Sequence, residues 1–101
     1  MIKVKITKDE NLVSKLEIKG HSLYAAYGKD IVCASVSTMV ITTVNAIIRY
    51  QENSITYNQD EGYVYIVVKE HDKVVDLLLE NLISLLKELE TQYPRNVKIN
   101  E

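Results

Sequence analysis

At 101 residues, 47% hydrophobic and 26% charged, the chain has the make-up of one soluble globular domain over residues 1–101, large enough for a core without disulfide or metal staples. Its net charge of −2 and scattered Lys and Arg argue against a nucleic-acid binder driven by phosphate attraction. A single cysteine excludes an internal disulfide, and the opening MIKVKITKDE does not read as a signal peptide, so the expected compartment is the cytoplasm.

Ile2, Val4 and Ile6 alternate with Lys3, Lys5 and Thr7, the period of a half-buried strand. KDEN at 8–11 reads as a turn, and Leu16 and Ile18, alternating with charged residues, form a second strand ending at Gly20. The pair predicts a hairpin. From Ile31 to Ile48 no residue is charged. That stretch is apolar enough to raise a membrane span, but Ser35, Ser37, Thr38, Thr42, Thr43 and Asn45 favour a buried helix of a soluble core.

Its Val, Ile and Thr content favours strand by propensity, but the periodicity is helical. Ser35, Thr38, Thr42, Asn45 and Arg49 form one polar stripe, and Val36, Val40, Val44 and Ile47 the opposed apolar one. The spacing predicts a helix over 31–49 with Asp30 at its N-cap, where a carboxylate accepts bonds from free backbone N–H groups.

Ile55 and Tyr57 lead into a predicted turn NQDEG at 58–62, followed by the strand YVYIVVK at 63–69. That strand is apolar on both faces, which places it inside the sheet. Asp72 caps a second helix with a buried stripe of Val75, Leu78, Leu82, Leu85, Leu86 and Leu89, and Pro94 stops it. Val97–Ile99 is a last short strand. The order β-β-α-β-β-α-β predicts an α+β fold with two helices packed on a mainly antiparallel sheet.

The chemistry-bearing residues gather in GHSLYAAYGKDIVCASVS at 20–37. With Asp30 as cap, Cys33 is the third helical residue, beside free N–H groups and the positive end of the helix dipole. That setting favours a thiolate and offers donors to an oxyanion. The plainer reading of Cys33 is a small buried hydrophobe. His21 follows a strand end; within reach of the sulfur it would act as base and then acid, and otherwise it is a solvated histidine.

Ser22, Leu23, Tyr24, Ala25, Ala26, Tyr27, Gly28 and Lys29 form a segment without clear period, read either as a lid or as a plain connection. Ser37, one turn after Cys33, either reaches the site or bonds back to its own helix. His71 stands between Glu70 and Asp72, and adjacent side chains do not converge on one ion, so no metal is expected. The tyrosines of YVYIVV have no basic cluster beside them in sequence, so a base-stacking sheet is not expected either.

GH, a loop, GKDIVCASVS and then VNAII on the same helix together resemble the ribosomal-processing cysteine protease family called Prp. The resemblance extends through the second hairpin to the final helix SLLKELE with YP after it. It implies a cytoplasmic homodimer without cofactor, direct nucleic-acid contact or membrane attachment. Its partner would be the N-terminal extension peptide of a large-subunit ribosomal protein (number twenty-seven), removed during ribosome assembly. The family's catalytic cysteine and histidine fall on Cys33 and His21. Its motif aspartate falls on Asp30, its following serine on Ser37, and its substrate-ordered loop on 22–29, here poorer in glycine and charge than the family pattern. The alternatives are a non-catalytic dimeric binding module of ribosome assembly, with Cys33 merely buried, and an acyltransferase or amidase using the same dyad.

Overall fold

The computed structural model describes residues 1–20, 31–60 and 62–101. Strands β1 (Ile2–Asp9) and β2 (Leu12–Lys19) pair as an antiparallel hairpin. Glu10 and Asn11 close it with φ of 52° and 66°, the left-handed pair that matches the twist of flanking strands. The turn is therefore shorter than KDEN, because Lys8 and Asp9 pair with Val13 and Leu12. The register shifts between Thr7 and Lys8, and Ser14, left out of the ladder, donates from Oγ to the Thr7 carbonyl at 3.1 Å. The shift keeps Val13 buried alongside Leu16.

Helix α1 (Ile31–Tyr50) leads to β3 (Ile55–Asp60), β4 (Tyr63–Val68), α2 (Lys73–Gln92) and β5 (Val97–Asn100). The sheet order is β3-β4-β2-β1-β5. Only the β1–β5 pairing is parallel; the rest are antiparallel. β4 lies inside the sheet, between β3 and β2. The expected turn at 58–62 starts later, since Asn58, Gln59 and Asp60 pair with Tyr65, Val64 and Tyr63. Their polarity belongs to an exposed edge strand rather than to a turn.

Ile2, Val4, Ile6, Leu16, Ile18, Val64 and Ile66 point to one face and form a single core with the inward stripes of both helices. On α1 the stripe is Val32, Val36, Val40, Val44 and Ile47, with Thr43 donating to the Met39 carbonyl at 2.8 Å. By length and composition α1 is long and apolar enough to cross a membrane, yet here its inward stripe is part of this core. On α2 the buried stripe is Val75, Leu79, Leu82, Ile83, Leu86 and Leu89. Leu78 and Leu85 are only half-buried, so the core side is rotated from the expected one toward Leu79 and Ile83. Each fully buried Leu or Ile contributes about 1.5–3 kcal/mol.

The end of α1 is tied to the start of α2. Ser54, fully buried, donates from Oγ to the Gln51 carbonyl at 2.8 Å, and its own carbonyl accepts from the Lys69 and Glu70 N–H groups at 2.8 and 3.1 Å. With its N–H donating to the Gln51 carbonyl at 3.2 Å, every polar atom of this buried serine is engaged, as burial demands. Asp72 caps α2 by accepting from the Val74 N–H at 2.8 Å and from the Tyr50 hydroxyl at 3.0 Å.

The Val74 N–H, assisted by Tyr50, holds the Asp72 carboxyl below the usual carboxylate range. A depressed folded-state value means the contribution is complete above the unfolded value and is lost as pH falls through the folded one. Asp72→Ala is therefore expected to lower the thermal midpoint at neutral pH. In melts at a series of pH values, the gap from the parent should narrow in acid below the ordinary aspartate range.

Among the described residues, no helix packs on the other face of the sheet. The sequence reading left the tyrosines of YVYIVV without a basic cluster, and the fold corrects this. Tyr63 pairs with Lys19, and Tyr65 lies beside Glu17. Lys15 and Lys19 place Nζ 6.0 and 5.6 Å from the centres of the Tyr65 and Tyr63 rings. Both lysines come from β2, distant in sequence from β4, and meet the tyrosines only through strand pairing.

Candidate active site

Cys33 is the third residue of α1, half-buried and packed against the edge of the core. The backbone N–H groups of a helix's first turn have no intrahelical partner and point out of its N-terminal end, so the sulfur shares its turn with donors that suit an anion. Among the described residues, no acidic side chain lies in the first turn of α1.

One turn on, Ser37 shares the face of Cys33. It borders a narrow crevice whose walls include Ile18 of β2, Ile41 of α1, Tyr57 and Gln59 of β3 and Val64 of β4. The Tyr57 hydroxyl donates to Gln59 Oε1 at 2.8 Å, and burial pushes its pKa up, keeping it a donor. The cleft was not read from the sequence. Tyr57 and Gln59 share the helix-side face of an edge strand, and that alternation is the one signal that points to them.

The same cleft brings the first turns of α1 over the far end of β2. Ile18 lines it; the strand ends at Lys19, and Gly20 follows. Gly20 donates to the Gly62 carbonyl at 3.1 Å and holds φ at +79°, a conformation that L side chains rarely adopt. A Cβ there would overlap the Met1 carbonyl oxygen and lie 3.6 Å from Ile2 Cα. The glycine of the GH pair is thus required by backbone geometry as β2 ends, directly before the histidine.

His21, Asp30 and the segment Ser22–Lys29 lie outside the described residues. Among the described residues, no group of three or more His, Cys, Asp and Glu side chains is placed to hold a metal. His71 Nδ1 instead sits 2.9 Å from Asp76 Oδ1 in the first turn of α2. On the opposite side of α1, the polar stripe of Ser35, Thr38 and Thr42 lines a groove against Asn81 and Leu85 of α2. Ser35 donates back to the Ile31 carbonyl at 2.7 Å, a local bond that serves its own helix.

A half-buried thiol at a helix start has donors for acyl transfer within its own turn, and comparison with known proteins defines the class: the chain is a cysteine protease. Residues 1–98 match the family model for cysteine protease Prp, and the chain belongs to that family. It is 34% identical over 104 residues to the ribosomal processing cysteine protease Prp of Staphylococcus aureus, covering 99% of this chain and 98% of that one.

Two crystal structures of an essential Prp from S. aureus share the fold. One, in complex with a substrate peptide, superposes with a TM-score of 0.89 at 31% identity over 99% of this chain and 98% of that one. The other, carrying a covalently linked product peptide, gives 0.88 at 32% identity with the same coverage. The expected order of elements and the helices on a mostly antiparallel sheet match these structures.

Proposed function

We propose that the protein removes the N-terminal extension of a large-subunit ribosomal protein (number twenty-seven) in the cytoplasm, using Cys33 as nucleophile and His21 as its acid–base partner. The observation that carries this reading is Cys33 in the first turn of α1, within a chain matching the Prp family over 1–98. The covalently linked product peptide in the S. aureus relative supports covalent catalysis.

The chemistry proceeds in two stages. Cys33 Sγ, as thiolate, attacks the carbonyl carbon before the scissile bond, and the N–H groups at the start of α1 hold the oxyanion. The C–N bond then breaks, and the His21 imidazolium gives its proton to the departing amine. The extension is left as a thioester on Cys33. His21 next takes a proton from water, whose oxygen attacks the thioester carbonyl and frees the extension as a carboxylate.

Asp30 and Ser37 are assigned supporting roles, and the segment Ser22–Lys29 the role of substrate loop, as the family pattern implies. The protein works as a homodimer. Exposed apolar side chains on its helices, Ile31, Ile41 and Ile48 on α1 and Leu77 on α2, support such an association.

The test is incubation with the extended ribosomal protein, read by mass spectrometry. One cut is expected, releasing the intact extension. His21→Ala should slow it by about 10²–10⁴-fold and should also slow alkylation of Cys33 by iodoacetamide near neutral pH. An uncut partner, with a thiol that alkylates no faster than a free cysteine and ignores His21→Ala, would favour a non-catalytic binding module.

A further inference from the structure

The helix-free face of the sheet collects charge that the rest of the chain lacks. Strand register lays Lys98, Lys3, Lys19, Tyr63 and Asp60 across it in one row, and Asn100, Lys5, Glu17, Tyr65 and Asn58 in the next. Lys15 follows on β2. Among the described residues, these rows with Lys15 hold five lysines and two carboxylates, in a chain whose net charge is −2.

Both carboxylates are engaged: Glu17 lies 3.2 Å from Lys15 Nζ and accepts from the Tyr63 hydroxyl at 3.3 Å, and Asp60, on the edge strand, also has a partner. The Tyr63 and Tyr65 rings stand 5.8 Å apart, tilted by 47°, and beside Glu17 a shallow depression is lined by Lys3, Lys5, Lys19 and Asn100.

We infer that this face binds single-stranded RNA, with bases stacking on Tyr63 and Tyr65 and phosphates tracking Lys19, Lys3, Lys5 and Lys98 across the strands. The complementarity has two independent parts. Lysines on successive strands, about 4.8 Å apart, form a positive track for a polyanion. Two neighbouring aromatic rings add flat surfaces that a base can use and an acidic peptide cannot. Lys15 and Lys19, now above the rings, have flexible stems that can swing from ring to phosphate. The overall charge argues only against attraction spread over the whole surface; a local track is set by where the lysines fall.

The test is a titration of the full chain with a fluorescent twelve-nucleotide single-stranded RNA at low salt. Saturable binding is expected, with log affinity falling against log salt at a slope of about −3 for four phosphate contacts. Tyr63→Ala with Tyr65→Ala should weaken binding by about tenfold or more. Tyr63→Phe with Tyr65→Phe, which keeps the rings, should retain it. Lys3→Gln with Lys98→Gln should flatten the salt slope.

The inference is overturned by absent saturable binding, by equal binding in the alanine and phenylalanine pairs, or by polyglutamate displacing RNA as well as unlabelled RNA does. It is also overturned if sedimentation shows the alanine pair dissociating a dimer, which would make the face a contact between copies. Thermal melts of each variant separate lost binding from lost fold. Because the readout is binding, the result is independent of whether the protein cuts the ribosomal protein.

Discussion

Cys33→Ala is expected to reduce release of the extension by on the order of 10³-fold or more while leaving the fold in place. The activity loss follows from the chemistry. Alanine offers no atom to form the thioester, and the N–H groups at the start of α1 then face a carbonyl that nothing attacks. The intact fold follows from the packing. Cys33 is half-buried at the edge of the core, so loss of one sulfur opens little space, and neighbouring Val32 and Val36 remain buried. Thermal melts of the two proteins should nearly coincide while cleavage rates diverge. Activity and melting temperature falling together would point to a structural cysteine instead.

The largest effect on stability is expected at Gly20. Gly20→Val forces a β-branched residue into a left-handed conformation, at about 1–2 kcal/mol for φ alone. It also drives a side chain into the Met1 carbonyl oxygen. Relief requires moving the start of β1, whose Ile2 N–H donates to Asn96 at 2.7 Å and whose Lys3 pairs with both Lys19 and Lys98. Three strands therefore share the strain. For a chain of this size each kcal/mol shifts the thermal midpoint by roughly 4–8 °C, so a drop of about 10 °C or more is expected by calorimetry, with cleavage reduced in the fraction that remains folded. Gly20→Ala should show the same effect in smaller degree.

The fold was legible where one periodicity dominates. Alternation marked β1, and the stripes of α1 outweighed its β-branched composition because they hold over the whole helix. Asp72 and Pro94 bounded α2 by short-range chemistry. Its core face came out rotated because leucine fills both its buried and half-buried positions, leaving little contrast to read. The end of β3 was hidden because an exposed edge strand is as polar as a turn. The sheet order and the basic, aromatic face were hidden for a different reason: Lys3, Lys19, Tyr63 and Lys98 become neighbours only through pairings that no local signal encodes.

Within the site, the start of α1 placed Cys33 from sequence alone. The need for glycine at position 20 depends on Met1, nineteen residues away in sequence and overlapping only in the folded sheet. The cleft beside Ser37 likewise needs β3 and β4 brought under α1. His21, Asp30 and Ser22–Lys29 lie outside the described residues, so their roles rest on the sequence reading and the family pattern rather than on geometry.

The most direct test of Cys33 as the covalent nucleophile is the intact mass of the parent protein, quenched during turnover of a peptide that spans the extension junction. A species heavier by the mass of the extension is predicted, carried as a hydroxylamine-labile thioester that maps to Cys33 and is missing from Cys33→Ala. Turnover with no added mass on Cys33, or cleavage by Cys33→Ala at the parental rate, would contradict it.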